Sequence, residues 1–147
     1  MLVSEILAIK GKVLFTVSSN RALSEAVAIM TEQDVGSLVV FDKGRMVGLL
    51  TFREVLVATQ KAGADWQALP VAEAMLKDPV AAGVNMQMDE LRRLMVDTHT
   101  RYVPVMDGDT MICVISFHDV AKAVLEERNF ENKLLKAYIK DWPAEAK

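Results

Sequence analysis

Apolar positions along this chain alternate between two spacings. Over 22–34, Leu23, Ala26, Val27 and Met30 recur at helical intervals, which predicts an amphipathic helix. Ahead of it, Val3 to Ala8 is a short apolar-periodic piece, and Leu14 to Val17 reads as a short strand. Asn20 reads as a cap or a turn residue ahead of that helix. Leu38 to Phe41 is an unbroken apolar run, as expected of a buried strand. Asp42-Lys43-Gly44 is a hairpin turn signal, Met46 to Leu50 the returning strand, and Phe52 to Lys61 a second helix. Ala62 to Pro70 reads as the linker, with Trp66 and Leu69 pinning it to a core. The order then restarts. A short helix is expected over Val71 to Leu76, a strand over Pro79 to Ala82 and a helix over Asp89 to Asp97. A strand over Tyr102 to Met106, a turn at Asp107-Gly108-Asp109, a strand over Thr110 to Ile115 and a helix from about Phe117 complete it.

The second pass copies the first. Gly48 to Val55 reads G-L-L-T-F-R-E-V, and Cys113 to Val120, 65 positions on, reads C-V-I-S-F-H-D-V. At the same offset Leu23 meets Met88, Glu25 meets Glu90, Met30 meets Met95 and Asp42 meets Asp107. An internal duplication decides the architecture before any local reading does. Units of this size bury too little surface to stand comfortably alone, so the two are expected to share a core. The expected division is a first repeat over 1–61, a linker over 62–70, a second repeat over 71–125 and a helical extension over 126–147. The last helix runs on toward Asp141. Its apolar face, carried by Val120 and Val124, is interrupted at Glu126 to Asn129 and resumes on a rotated face at Phe130, Leu134, Ala137 and Tyr138. Two stripes imply two contacts. The second either folds back onto its own core or meets a second subunit.

Composition narrows the function. Hydrophobic residues make up 52% and charged residues 25%, which favours a globular fold over disorder. The net charge of −3 and the lack of a basic stripe argue against nucleic acid as a partner. Met1 to Ile9 lacks the pattern of a signal peptide, and no apolar run approaches the length of a membrane span, so a cytoplasmic protein is expected. One cysteine, Cys113, excludes an internal disulfide and a cysteine-based zinc site, and no metal is expected. The two histidines, His99 and His118, have no nucleophile and orienting acid beside them, so no enzyme is expected. His99 reads as a helix-end residue.

Each repeat ends in a hydroxyl and a carboxylate three residues apart at a strand-to-helix junction: Thr51 with Glu54, Ser116 with Asp119. One reading is a capping box, in which the hydroxyl accepts from a backbone N–H and the acid suits the positive helix end. The other is a ligand site. A carboxylate there can accept two charge-assisted hydrogen bonds from a vicinal ribose diol, each worth roughly 1.5–3 kcal/mol, and helix N-termini favour phosphate.

The ordered, duplicated motifs resemble a pair of CBS domains, the regulatory modules named after cystathionine β-synthase. The resemblance covers about Val3 to Val124. It rests on Val3-Ser-Glu-Ile-Leu7 and Val71-Ala-Glu-Ala-Met75 as leading helices, Leu23-Ser-Glu-Ala26, Arg101-Tyr-Val-Pro-Val105, and the two strand-to-helix turns. It implies an α+β fold of tandem CBS domains. Each would be a small mixed sheet with helices on one face, and the two would pack about a pseudo-twofold axis with two clefts between them. It implies a non-catalytic regulatory module that binds an adenine nucleotide, AMP first, with ATP, NAD or S-adenosylmethionine as alternatives. A homodimer and a regulated protein partner are implied as well. The competing reading is a ligand-independent dimerisation scaffold.

Carried onto this chain, the resemblance makes Asp119 the ribose ligand with Ser116 beside it. Glu54 departs from the family's usual Asp, and its extra methylene moves the carboxylate by about 1.5 Å. Arg53 and His118 occupy matching positions where a basic side chain reaches phosphate; the bland alternative is a solvated helix-start charge. Arg101, Tyr102, Val103 and Pro104 correspond to a segment that lines the cleft, as do Val35, Gly36 and Ser37 of the first repeat, although Tyr102 could equally be core. Thr16 and its counterpart Ala81 fall where the base is contacted, and only Thr16 offers a polar group. Cys113, in an apolar strand, reads as a small hydrophobe; by the resemblance it stands where the family prefers Gly, matching Gly48, and its side chain would crowd the second cleft.

Overall fold

The computed structural model describes residues 1–11 and 14–140. Its elements are α1 (Val3–Lys10), β1 (Thr16–Val17), α2 (Leu23–Gln33), β2 (Ser37–Asp42), β3 (Arg45–Thr51) and α3 (Phe52–Ala62). After a 3-10 turn (Gly63–Ala68) come α4 (Val71–Ala74), β4 (Ala82–Gly83), α5 (Met88–Thr98), β5 (Tyr102–Asp107), β6 (Thr110–Ser116) and α6 (Phe117–Lys140). Two three-stranded sheets result, ordered β1-β2-β3 and β4-β5-β6. In each, the first pair is parallel and the second antiparallel. The hairpin turns are two residues long, and Lys43 and Gly44 both adopt positive φ (53° and 77°), which gives the primed geometry that suits twisted strands. The strand expected from Pro79 shrinks to Ala82–Gly83. Proline has no N–H to give a ladder.

The strands are apolar without a break because both faces of each sheet are covered. Leu38, Val40 and Leu50 face the helices of one core, and Val103, Val105, Cys113 and Ile115 face those of the other. The alternate residues Val39, Leu49 and Val114 meet between the sheets. This third cluster is the shared core that joins the repeats. Burying each such side chain contributes roughly 1.5–3 kcal/mol.

The leading helices are exchanged. Val3, Ile6 and Leu7 of α1 pack among Leu91, Met95, Val103 and Ile115, in the second repeat's core. Val71 of α4, with Trp66 and Leu69 from the linker, packs among Leu23, Leu38 and Leu50, in the first. Backbone bonds fix both legs. Val3 N donates to Met86 O and Met88 N to Met1 O, while Val71 N donates to Arg21 O and Leu23 N to Leu69 O. The last of these decides between the two readings of Asn20, which is a turn residue and not the cap. The cap position of α2 is Ala22, with no side-chain bond, because the first helical N–H is taken by the carbonyl of the incoming leg.

Beyond α4 the chain runs along the edge of β3, where Leu49 and Leu76 exchange backbone hydrogen bonds of 2.9 and 2.8 Å. A Cβ on Gly48 would lie 2.9 Å from Leu76 O and 2.6 Å from Met75 Sδ, so this position needs glycine. Among the described residues no such leg pairs with the edge beside the matching Cys113. Its side chain is fully buried among the second core's residues, as a small hydrophobe would be, and lines neither cleft, so the crowding expected from the resemblance is not found.

Val120 and Ala123 are buried and anchor the start of α6. From Arg128 through Ile139 every residue is exposed and the helix leaves the body. Phe130, Leu134, Leu135, Tyr138 and Ile139 are each more than half exposed, so the tail does not fold back onto its own core. The expected end at Asp141 and the rest of the extension lie outside the described residues. Among the described residues, no helix is long and apolar enough to cross a membrane.

Candidate functional site: two clefts between the repeats

The twofold-like packing brings the strand-to-helix junction of each repeat against the helix-to-strand segment of the other. The cleft at Asp119 has a volume of about 520 Å³ and is walled by Val35, Gly36 and Ser37 on one side and Ser116, His118 and Asp119 on the other. The cleft at Glu54, about 530 Å³, sets Thr51, Arg53 and Glu54 against His99, Thr100 and Arg101. Both volumes suit a small-molecule ligand. Asp34 and His99, the left-handed caps that end α2 and α5 (φ 53° and 54°), start the two opposing walls. His99 is thus a helix-end residue, as its sequence context predicts.

Phe52, Arg101 and Tyr102 divide the clefts. The Phe52 and Tyr102 rings meet edge to face at 6.1 Å and 84°, and the Arg101 guanidinium lies 5.3 Å from the Phe52 centroid. Such contacts hold an otherwise mobile guanidinium in place. Gly36 makes the arrangement possible, since a Cβ there would sit 1.8 Å from Tyr102 Oη. Burial pushes the Tyr102 phenol's pKa up; the Arg101 charge opposes this and the Asp119 charge reinforces it.

At the Asp119 cleft the capping box is formed. Ser116 N donates to Asp119 Oδ2 at 2.8 Å, and Asp119 N donates to Ser116 Oγ at 3.1 Å. A third partner was not anticipated: Lys10 Nζ lies 2.7 Å from Asp119 Oδ2 and also donates to the Val114 carbonyl. Burial alone would raise the Asp119 pKa. The Lys10 hydrogen bond, the Ser116 N–H and the Lys10 charge outweigh it and hold the carboxyl below its ordinary value. At the other junction Thr51 Oγ1 donates to Glu54 Oε2, so the longer acid turns onto its own hydroxyl and the cap bond is not made. Arg53 stays largely in solvent, 3.7 Å from Glu54.

Thr16, Ala81, Val103 and Pro104 line neither cleft. Val103 faces the second core because strand alternation turns it toward the helices. Pro104 is buried, and Thr16 and Ala81 are exposed outside the hollows. Sequence reasoning missed Lys10 and Phe52. Lys10 had a signal, since it continues the α1 stripe of Val3, Ile6 and Leu7 as the one charged member.

The CBS domain family profile matches residues 3–61 and 71–126. The chain belongs to the CBS domain family. A CBS domain-containing protein of Bacillus subtilis is 31% identical over 106 residues, 72% of this chain and 75% of that protein. The crystal structure of a CBS-domain protein from Agrobacterium tumefaciens superposes with a TM-score of 0.80 at 31% identity, covering 84% of this chain and 98% of that one. CBSX2, crystallised in complex with AMP, gives 0.72 at 20% identity, covering 86% and 98%, and so shares the fold. The comparisons agree with the two-repeat α+β architecture of three-stranded mixed sheets.

Proposed function

We propose that this CBS pair is a non-catalytic regulatory module that binds an adenine nucleotide, AMP foremost, in the cleft at Asp119. The observation that carries this reading is a hollow of ligand size between the repeats, with an ionised carboxylate at the head of α6 and Lys10, Arg101 and His118 around it. The carboxylate suits a ribose diol, the Lys10 ammonium and Arg101 guanidinium suit phosphate, and the backbone at Val35 to Ser37 offers polar groups to a base. The AMP complex of a protein with the same fold supports the choice of ligand. Calorimetry with AMP, ATP, NAD and S-adenosylmethionine tests it. AMP should bind, and Asp119→Asn should weaken it by at least about tenfold. Silence with all four ligands at millimolar concentration removes the proposal.

The scaffold reading also has an observation in its favour, the completed Ser116–Asp119 cap. Under it, Asp119→Asn changes stability alone.

The module is a homodimer, and the α6 tail is its surface. Phe130, Leu134 and Tyr138 form one exposed row, with Leu135 and Ile139 beside it. Glu126, Glu127 and Glu131 precede Lys133 and Lys136 along the helix, with Arg128 the exception in the acidic half. An antiparallel pair sets the acidic half of one copy against the basic half of the other, whereas a parallel pair sets like against like. The occupant that fits is therefore a second copy running the opposite way.

A further inference from the structure

Resting on the nucleotide reading of the Asp119 cleft, we infer that Lys10 is a counter-ion that makes the cleft select phosphate-bearing ligands over free nucleosides. Lys10 and Asp119 are 24% and 20% exposed, and the amine bridges the carboxylate and the Val114 carbonyl. A vicinal diol that takes both carboxylate oxygens of Asp119 competes with that amine for Oδ2. A nucleoside displaces Lys10 and leaves a partly desolvated ammonium without an anion. A nucleotide brings the replacement with it. The ammonium has three donors on a flexible stem and can turn from the carboxylate to a phosphate on the same ligand. The phosphate thus restores the ion pair that the ribose breaks.

Among the described residues the other cleft has no half-buried lysine on its acid, and the cation nearest Glu54 is Arg53, 3.7 Å away and 76% exposed. There the leading helix stops at Ala74, the following residues pair with the β3 edge, and Glu54 is held by the Thr51 hydroxyl. The selectivity therefore belongs to one cleft and to the longer leading helix that reaches it.

Calorimetric titration of the full chain with AMP and with adenosine tests this, using the natural protein, Lys10→Met and Lys10→Arg. The natural protein should favour AMP by at least about tenfold, and Lys10→Met should bring the two ligands within about threefold of each other, with adenosine binding more tightly than before. Lys10→Arg should keep most of the preference. If Lys10→Met melts below the working temperature, Lys10→Gln carries the same expectation. A preference unchanged on loss of the amine, in a protein that still binds AMP, overturns the role of Lys10 and leaves the nucleotide reading intact. Failure of the natural protein to bind either compound overturns both.

Discussion

The exchange of leading helices can be tested through Cys113, the single cysteine, which is fully buried in the second core beside the α1 residues. Ile6, 1% exposed, lies in that core although it precedes the first repeat's strands in sequence. Ile6→Ala removes three side-chain carbons from a closed site and should cost about 3 kcal/mol. If the second core opens as a unit, its open population rises by roughly 100-fold, since about 1.4 kcal/mol is a factor of ten. Cys113 should then react with a thiol reagent about 100-fold faster under conditions where reclosing outpaces labelling. Val71→Ala, costing about 2 kcal/mol in the first core, should change the Cys113 rate by no more than about threefold. The control matters because sequence order alone assigns Ile6 to the first repeat and Val71 to the second. Should Val71→Ala accelerate labelling about 100-fold while Ile6→Ala leaves it within about threefold, the helices sit with their own repeats and the exchanged arrangement is wrong.

Three further outcomes follow from the packing. Gly48→Ala should lose about 1–3 kcal/mol in urea unfolding, because its methyl meets a backbone oxygen that cannot swing away; a neutral result would mean that the Leu76 leg is not held against β3. Asp119 titrates below its ordinary 3.8 in the folded protein. Its contribution to stability is therefore complete above that value and is lost as pH falls through the lowered folded pKa. Urea melts between pH 5 and pH 2.5 should show a shallower acid loss in Lys10→Met, and identical slopes would count against the ion pair. Leu134→Glu should shift the protein from dimer to monomer in sedimentation velocity without lowering the stability of the monomer, since Leu134 is 56% exposed there; a dimer that persists rules out the α6 tail as its surface.

The architecture was readable because the duplication imposed it twice. Unbroken apolar runs at Leu38 to Phe41 and around Val103 gave the strands, and the turn residues gave the hairpins. The junction acids were readable for the same reason. What sequence could not give was which leg meets which core. Ile6 and Val71 are equally apolar at equal helical spacing, so the pattern states that they are buried without stating against what. Lys10 was lost in the same way. Its partner lies 109 positions away, and only the exchange brings them together. Val103 and Pro104 were drawn into the site by adjacency to Arg101; strand alternation turns Val103 into the second core, and Pro104, on the Tyr102 face, is buried farther along the strand. The Asn20 cap failed because a side-chain signal cannot reveal a backbone carbonyl arriving from the linker.

The departures from internal symmetry trace to one difference. The strands of the two repeats match 65 positions apart, yet the leading helices match 68 apart, Val3 with Val71. The helix α1 then runs for eight residues and α4 for four. The short helix releases its chain early enough for Leu76 to pair with the β3 edge, and that close approach is why Gly48 has no side chain. The long helix continues past the equivalent point and delivers a lysine to the matching edge, where the Val114 carbonyl receives an ammonium in place of a backbone N–H. With no leg among the described residues pressing on it, the position matching Gly48 accepts Cys113. With a cation beside it, the second junction's acid is held in the cleft, while Glu54 turns onto its own hydroxyl. Two clefts built from one duplicated unit thus acquire different chemistry from the length of a helix that belongs, in sequence, to the opposite repeat.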